Sequence, residues 1–103
     1  MKIPTTFKCA GFTIKVEIVD FLPGNCYGIF YDAPLVLKLA RKINTEDYGV
    51  VTLTEDQMIN TFWHEVMHCW QYFYNTEYNE AQAQVYANFM CEFLNTKEVD
   101  LPF

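Results

Sequence analysis

The sequence predicts a small α+β domain, because strand-like segments fill its first half and helix-like segments its second half. Half of the 103 residues are apolar and 17% are aromatic, a composition that favours one compact core. Apolar side chains alternate with polar ones in the first half, and they recur at helical spacing in the second. We therefore expect one domain over residues 1–103: a mostly antiparallel sheet of three to four strands packed on two helices.

The first two strands are predicted on either side of a turn. Residues 12–19 alternate between apolar and polar side chains, the period of a half-buried strand. Pro23-Gly24-Asn25 has the composition of a turn. The aromatic and β-branched residues at 27–31 then predict a second strand.

The third strand is predicted at residues 35–40, after a second turn at Asp32-Ala33-Pro34. Lys38 and Arg41 give this segment the character of an edge strand. Residues 41–49 are polar and are expected to form a loop, and residues 50–53 a short fourth strand.

Two helices are predicted in the second half from their capping residues. Thr54-Glu55-Asp56-Gln57 is a capping box, so the first helix should run from about residue 55 to residue 74. Asn79, with Gln82 three residues later, predicts the start of a second helix that ends near residue 95.

Charge and composition exclude several classes of protein. A net charge of −6 argues against a surface that binds nucleic acid. No segment has the apolar length of a signal peptide or of a membrane span. The cysteines lack CxxC spacing, so we expect buried free thiols in a reducing cytoplasm, with a disulfide as the alternative. These cysteines are Cys9, Cys26, Cys69 and Cys91.

The two histidines of the chain lie four residues apart in the segment His64-Glu65-Val66-Met67-His68. This is the HExxH pattern, in which two imidazoles on one helical face bind Zn²⁺ and the glutamate serves as general base. We therefore expect one Zn²⁺ per chain, bound by His64 and His68, with Glu65 as the catalytic residue.

A helical wheel places both histidines on the polar face of the first helix, away from its core-facing residues. The alternative is a plain solvated face that carries two surface histidines. The opposite, apolar arc comprises Met58, Ile59, Phe62, Trp63, Val66, Met67, Cys69, Trp70 and Phe73.

A catalytic zinc site usually has three protein ligands, so a carboxylate is expected to complete the set. Glu77, Glu80 and Glu92 are the nearby candidates. Glu80 is favoured, because the small residues Ala83 and Ala87 follow it on one helical stripe and allow the two helices to approach closely. Glu80 could instead serve only as an acid at the positive end of the helix dipole.

The HExxH motif with a downstream helical glutamate resembles the gluzincin clan of zinc metallopeptidases. Residues 27–95 are also similar to short peptidase-like proteins of phages and mobile elements, and to the repressor-cleaving ImmA/IrrE-type peptidases. The second motif of that family, Glu-x-x-Ala-x-x-Phe-Ala, corresponds here to Glu80, Ala83, Tyr86 and Ala87, with tyrosine in the place of phenylalanine.

The resemblance implies a minimal zincin-like domain that hydrolyses peptide bonds. It implies zinc ligands at His64, His68 and Glu80, a general base at Glu65, and a sheet edge that binds a peptide or protein substrate. Residues 35–40 are the expected edge, to which the substrate would add as a strand. The hydroxyl that stabilises the oxyanion is left open among Tyr72, Tyr74, Tyr78 and Tyr86.

Two other classes of function remain as alternatives. A regulatory or interaction module could keep zinc as a structural element, since a metal can compensate for the small core of a short domain. An interaction protein could bind no metal. Glu65 distinguishes the first alternative from an enzyme, because a purely structural zinc site has no use for a base.

Overall fold

The computed structural model describes residues 3–102, which form an α+β fold. Its strands are β1 (Thr6–Cys9), β2 (Phe12–Val19), β3 (Gly28–Asp32), β4 (Leu35–Ala40), β5 (Lys42–Thr45) and β6 (Gly49–Thr52). Its helices are α1 (Glu55–Phe73) and α2 (Glu80–Thr96). The predicted fold class is therefore confirmed.

The main sheet has the strand order β1-β2-β4-β3. β2 and β4 are parallel, and the other two neighbouring pairs are antiparallel. The prediction that residues 35–40 form an edge strand is wrong, because β4 pairs on both sides. Lys38 belongs to the sheet's polar surface, where its ammonium lies 3.8 Å from Glu17 of β2. The free edges of this sheet belong to β1 and β3.

A separate two-stranded sheet is formed by β5 and β6. β6 confirms the predicted fourth strand, but the prediction of a loop over 41–49 is wrong where β5 lies. This strand has one fully apolar side chain, Ile43, and so gives little alternation to detect. The Asn25 side chain also pairs with it, because its amide bonds both the N–H and the carbonyl of Asn44 at 2.8 Å. β1 was not predicted.

Both helices begin where their capping residues predict. Thr54 Oγ1 accepts from the Gln57 N–H at 3.1 Å, and Gln57 Oε1 accepts from the Thr54 N–H at 2.8 Å. The Asn79 side chain caps α2 by accepting from the Gln82 N–H at 2.8 Å. Local side-chain chemistry thus fixes the first turn of each helix.

α1 lies on the sheet, whereas α2 packs mainly against α1. The apolar face of α1 contributes Phe62 and Cys69 to the core, but Trp70 is exposed, contrary to the wheel. The opposite face is only partly solvated, because Glu65 and His68 are buried there. The fully buried core cluster contains Ile14, Leu37, Leu39, Phe62 and Cys69.

All four cysteines are free, as predicted. Cys69 is buried and Cys26 is exposed, so the expectation that all the thiols are buried is wrong. Across residues 3–102, no helix combines the length and the apolar character that a membrane span requires.

Candidate metal centre

Three side chains from two helices converge at one point above α1. His64 and His68 lie one turn apart, and their Nε2 atoms are separated by 3.1 Å. Glu80 Oε1, from the first turn of α2, lies 3.3 Å from His64 Nε2 and contacts His68 Nε2. The structure therefore brings together the three side chains that the sequence predicts as metal ligands.

Glu80 reaches the histidines because α2 packs closely on α1. Ala83 and Ala87 are completely buried, so their small side chains permit this approach. The competing candidates Glu77 and Glu92 do not line the cavity that contains the histidines. Among the three candidate acids, Glu80 is the one that meets both imidazoles.

Each imidazole is held through its other nitrogen by a glutamine. Gln84 Oε1 lies 3.0 Å from His64 Nδ1, and Gln71 Oε1 lies 2.8 Å from His68 Nδ1. An amide oxygen only accepts hydrogen bonds, so both Nδ1 atoms carry the proton and both Nε2 atoms present a lone pair. Partners of this kind orient metal-binding histidines. Neither glutamine was predicted from the sequence as a site residue, although Gln84 lies one helical turn after Glu80.

The convergence of these donor atoms fits a metal ion. Two imidazole lone pairs and a carboxylate oxygen face one another, so a metal ion bound between them would remove their mutual repulsion. Donors bound tetrahedrally at zinc distances are separated by about 3.3 Å. The separations of 3.1 Å between the Nε2 atoms and 3.3 Å from His64 to Glu80 are close to this value, whereas Glu80 Oε1 lies nearer than this to His68 Nε2.

Glu65 lies beside these donors and has a different environment. His64, Glu65 and His68 each offer a ligand atom, all within 4.8 Å of one another, so this group could hold a metal ion. Glu80 is the alternative candidate for a third ligand, because its oxygen is within hydrogen-bond distance of both Nε2 atoms. Glu65 is only 6% exposed, and burial raises the pKa of its carboxyl group although the nearby histidines oppose this. A carboxylate with a raised proton affinity suits a general base.

Tyr78 is the tyrosine nearest to the converging donors. Its ring stacks on His68, with centroids 4.3 Å apart, and its hydroxyl donates to Glu80 Oε1 at 2.8 Å. Burial, together with this hydrogen bond, raises the pKa of Tyr78 to about 12, so the hydroxyl keeps its proton at neutral pH. Tyr72 also lines the cavity, whereas Tyr74 and Tyr86 do not.

The candidate centre opens into a cavity of about 1320 Å³ between β3 and the two helices. Gly28, Ile29 and Phe30 of β3 form one wall. Within the described chain, the second edge of β3 has no strand partner. The charged side chains that line the cavity are all acidic: Asp32, Asp56, Glu65 and Glu80. An extended peptide that is uncharged or positively charged would therefore fit this cavity better than a negatively charged one.

Comparison of the chain with protein-family models, curated proteins and solved structures finds no match.

A Gly28→Ala substitution should destabilise the fold and disturb the wall of the cavity. A Cβ atom at Gly28 would lie 2.6 Å from Thr61 Cγ2 and 3.0 Å from Glu65 Cγ. Overpacking of this kind typically costs about 1–3 kcal/mol, which urea unfolding would measure. Adding Thr61→Ser removes the clashing methyl group and keeps the hydroxyl that donates to the Gln57 carbonyl. The double variant should therefore regain stability relative to Gly28→Ala. Equal stability of Gly28→Ala and the wild type would contradict the expected clash.

Proposed function

We propose that the chain is a zinc metallopeptidase of the gluzincin type, with one Zn²⁺ bound by His64, His68 and Glu80. The observation that carries the proposal is the convergence of these three donors beside a second carboxylate, that of the buried Glu65. A structural zinc site would have no need of this additional acid. A relationship to the short peptidase-like proteins of phages and to the ImmA/IrrE-type peptidases is part of this proposal. The free cysteines accord with action in a reducing cytoplasm.

Each nearby side chain has a distinct role in the proposed reaction. Zinc, when bound, would acidify a water molecule and polarise the peptide carbonyl. Glu65 accepts the proton of the attacking water and delivers it to the leaving amine, because its carboxylate adjoins the donors without being needed as a ligand. Tyr78 keeps its proton at neutral pH, and its single O–H, which donates to Glu80 in the absence of substrate, turns to donate to the developing oxyanion.

The proposed substrate is a peptide that adds to β3 as an extended strand. β3 replaces the segment 35–40 of the sequence-based prediction, because β4 is enclosed by β2 and β3. β3 lies against α1 at Gly28, close to Thr61 and Glu65. A peptide paired with this edge would pass over the candidate centre and could use main-chain hydrogen bonds for binding.

Metal binding tests the site before any substrate is identified. Protein purified without chelators should contain about one zinc ion per chain, since three protein ligands converge at one point. The His64→Ala/His68→Ala variant should contain essentially none, and elemental analysis of both proteins makes the comparison. Equal zinc content in the two proteins would refute the site.

Hydrolysis is tested by incubating the zinc-loaded protein with a complex mixture of short peptides and identifying new termini by mass spectrometry. Cleavage that disappears in the double histidine variant would support a peptidase. Bound zinc without any cleavage across such a mixture would favour the alternative of a zinc-containing regulatory module.

A further inference from the structure

Gln71 has more hydrogen bonds than the orientation of a histidine requires. It lies near the end of α1 and is only 1% exposed. A buried amide destabilises a fold unless its donors and acceptor are satisfied. Here the amide group bonds to His68, to the backbone of Asn79 and to the side chain of Gln82.

The backbone around Gln71 determines how its amide is oriented. Nε2 donates to the Asn79 carbonyl at 3.2 Å and to Gln82 Oε1 at 2.7 Å. A backbone carbonyl only accepts, so the amide nitrogen has to face it and the amide oxygen has to face His68. Oε1 then accepts from His68 Nδ1 at 2.8 Å and from the Asn79 N–H at 3.4 Å. This orientation excludes the tautomer of His68 that has its proton on Nε2.

The same amide group therefore acts on two of the converging donors. It places the lone pair of His68 on Nε2, and it holds Asn79, the N-cap residue immediately before Glu80. We propose that Gln71 is a positioning residue that fixes the His68 tautomer and the start of α2, so that His68 and Glu80 meet before any metal binds. The proposal rests on the metal site above for its purpose, but both of its structural effects can be measured in metal-free protein.

Gln84 provides a matched control within the same site. Its Oε1 accepts from His64 Nδ1 at 3.0 Å, so it should fix the tautomer of His64 as Gln71 does for His68. Its Nε2 donates to the side chains of Asn60 and Asn88, not to the backbone that begins α2. Loss of Gln84 should therefore affect one histidine and leave the start of α2 unchanged.

The first experiment locates the ring protons in metal-free protein. Long-range ¹H–¹⁵N spectra, recorded well above the ordinary imidazole pKa of about 6.5, distinguish the two tautomers. In the wild type, both histidines should carry the proton on Nδ1. In Gln71→Leu, the His68 proton should redistribute to Nε2 while His64 is unchanged, and Gln84→Leu should give the reverse. Gln71→Glu should retain the wild-type tautomer of His68, because a carboxylate also accepts from Nδ1.

The second experiment measures amide hydrogen exchange in the first turn of α2. Exchange should be faster by about tenfold in both Gln71→Leu and Gln71→Glu, because neither side chain can donate to Asn79 and Gln82. It should be unchanged in Gln84→Leu. Zinc affinity, measured by competition with a chelator, should fall about 10–100-fold in Gln71→Leu.

The proposal is overturned if a folded Gln71→Leu variant keeps the His68 proton on Nδ1 or shows wild-type exchange in α2. If that variant does not fold, Gln71→Glu decides: a His68 proton on Nε2, or unchanged exchange, overturns the proposal. The expected tautomers and exchange rates in a protein that binds no zinc would uphold the role of Gln71 and refute the proposed metallopeptidase. The two proposals can therefore fail separately.

Discussion

A Glu65→Gln variant is expected to lose peptide hydrolysis by at least about 10²–10⁴-fold while it keeps its fold and its zinc. The change preserves the shape of the side chain but removes its capacity to accept a proton from water, and general base catalysis typically contributes a factor of this size. Zinc content should be retained because Glu80, not Glu65, supplies the third donor in contact with the histidines. Cleavage rate and zinc content, measured on the same preparations, check both expectations.

Asp56→Asn is the matched control for Glu65→Gln. It makes the same carboxylate-to-amide change at another residue that lines the cavity, in the first turn of α1. This variant should cleave the same peptides at close to the wild-type rate. Loss of zinc from Glu65→Gln would identify Glu65 as a ligand and contradict the roles assigned here. Comparable loss of hydrolysis in both variants would instead point to a general effect of the cavity's charge.

The helices could be predicted accurately because their signals are local. Thr54 and Asn79 cap the helices that follow them, and each capping bond joins residues three positions apart. The arrangement of the sheet could not be predicted in the same way. Lys38 gave β4 the appearance of an edge, but its partner Glu17 lies on a strand that is distant in sequence. Strand order depends on such long-range pairings, which an alternating pattern does not encode.

The residues of the candidate site could likewise be predicted from the sequence only where the signal is local. The spacing of His64 and His68 within one helix fixes their proximity, so the motif alone predicted that pair. The small side chains of Ala83 and Ala87 suggested that α2 would pack closely, and both are fully buried in that interface. The roles of Gln71 and Gln84 depend on the distance between their amides and the imidazoles. Glutamine is common on polar helical faces, so no sequence pattern distinguishes these two.

Replacing Glu80 with Ala is expected to weaken zinc binding by more than the 10–100-fold loss that is typical when a ligand's supporting residue is removed. Glu80 Oε1 contacts both imidazoles, so its removal leaves two protein donors. Competition with a chelator at fixed pH measures the change. Partial burial opposes ionisation of Glu80, but the hydrogen bond from Tyr78 and the interactions with the two histidines lower the pKa of its carboxyl group below the usual value, so the group is ionised at neutral pH.

Glu77→Ala and Glu92→Ala are the controls for Glu80→Ala, because each removes one acid near the same helix without removing a side chain that lines the cavity. Both should bind zinc nearly as tightly as the wild type, since exposed charges at a distance are screened by solvent and salt. Far-ultraviolet circular dichroism checks that all three variants keep the helix content of the wild type. If Glu77→Ala released zinc and Glu80→Ala did not, the third ligand would lie in the turn between the helices. The correspondence of Glu80 with the Glu-x-x-Ala-x-x-Phe-Ala motif would then be wrong, because that motif requires its glutamate to be the ligand on the second helix.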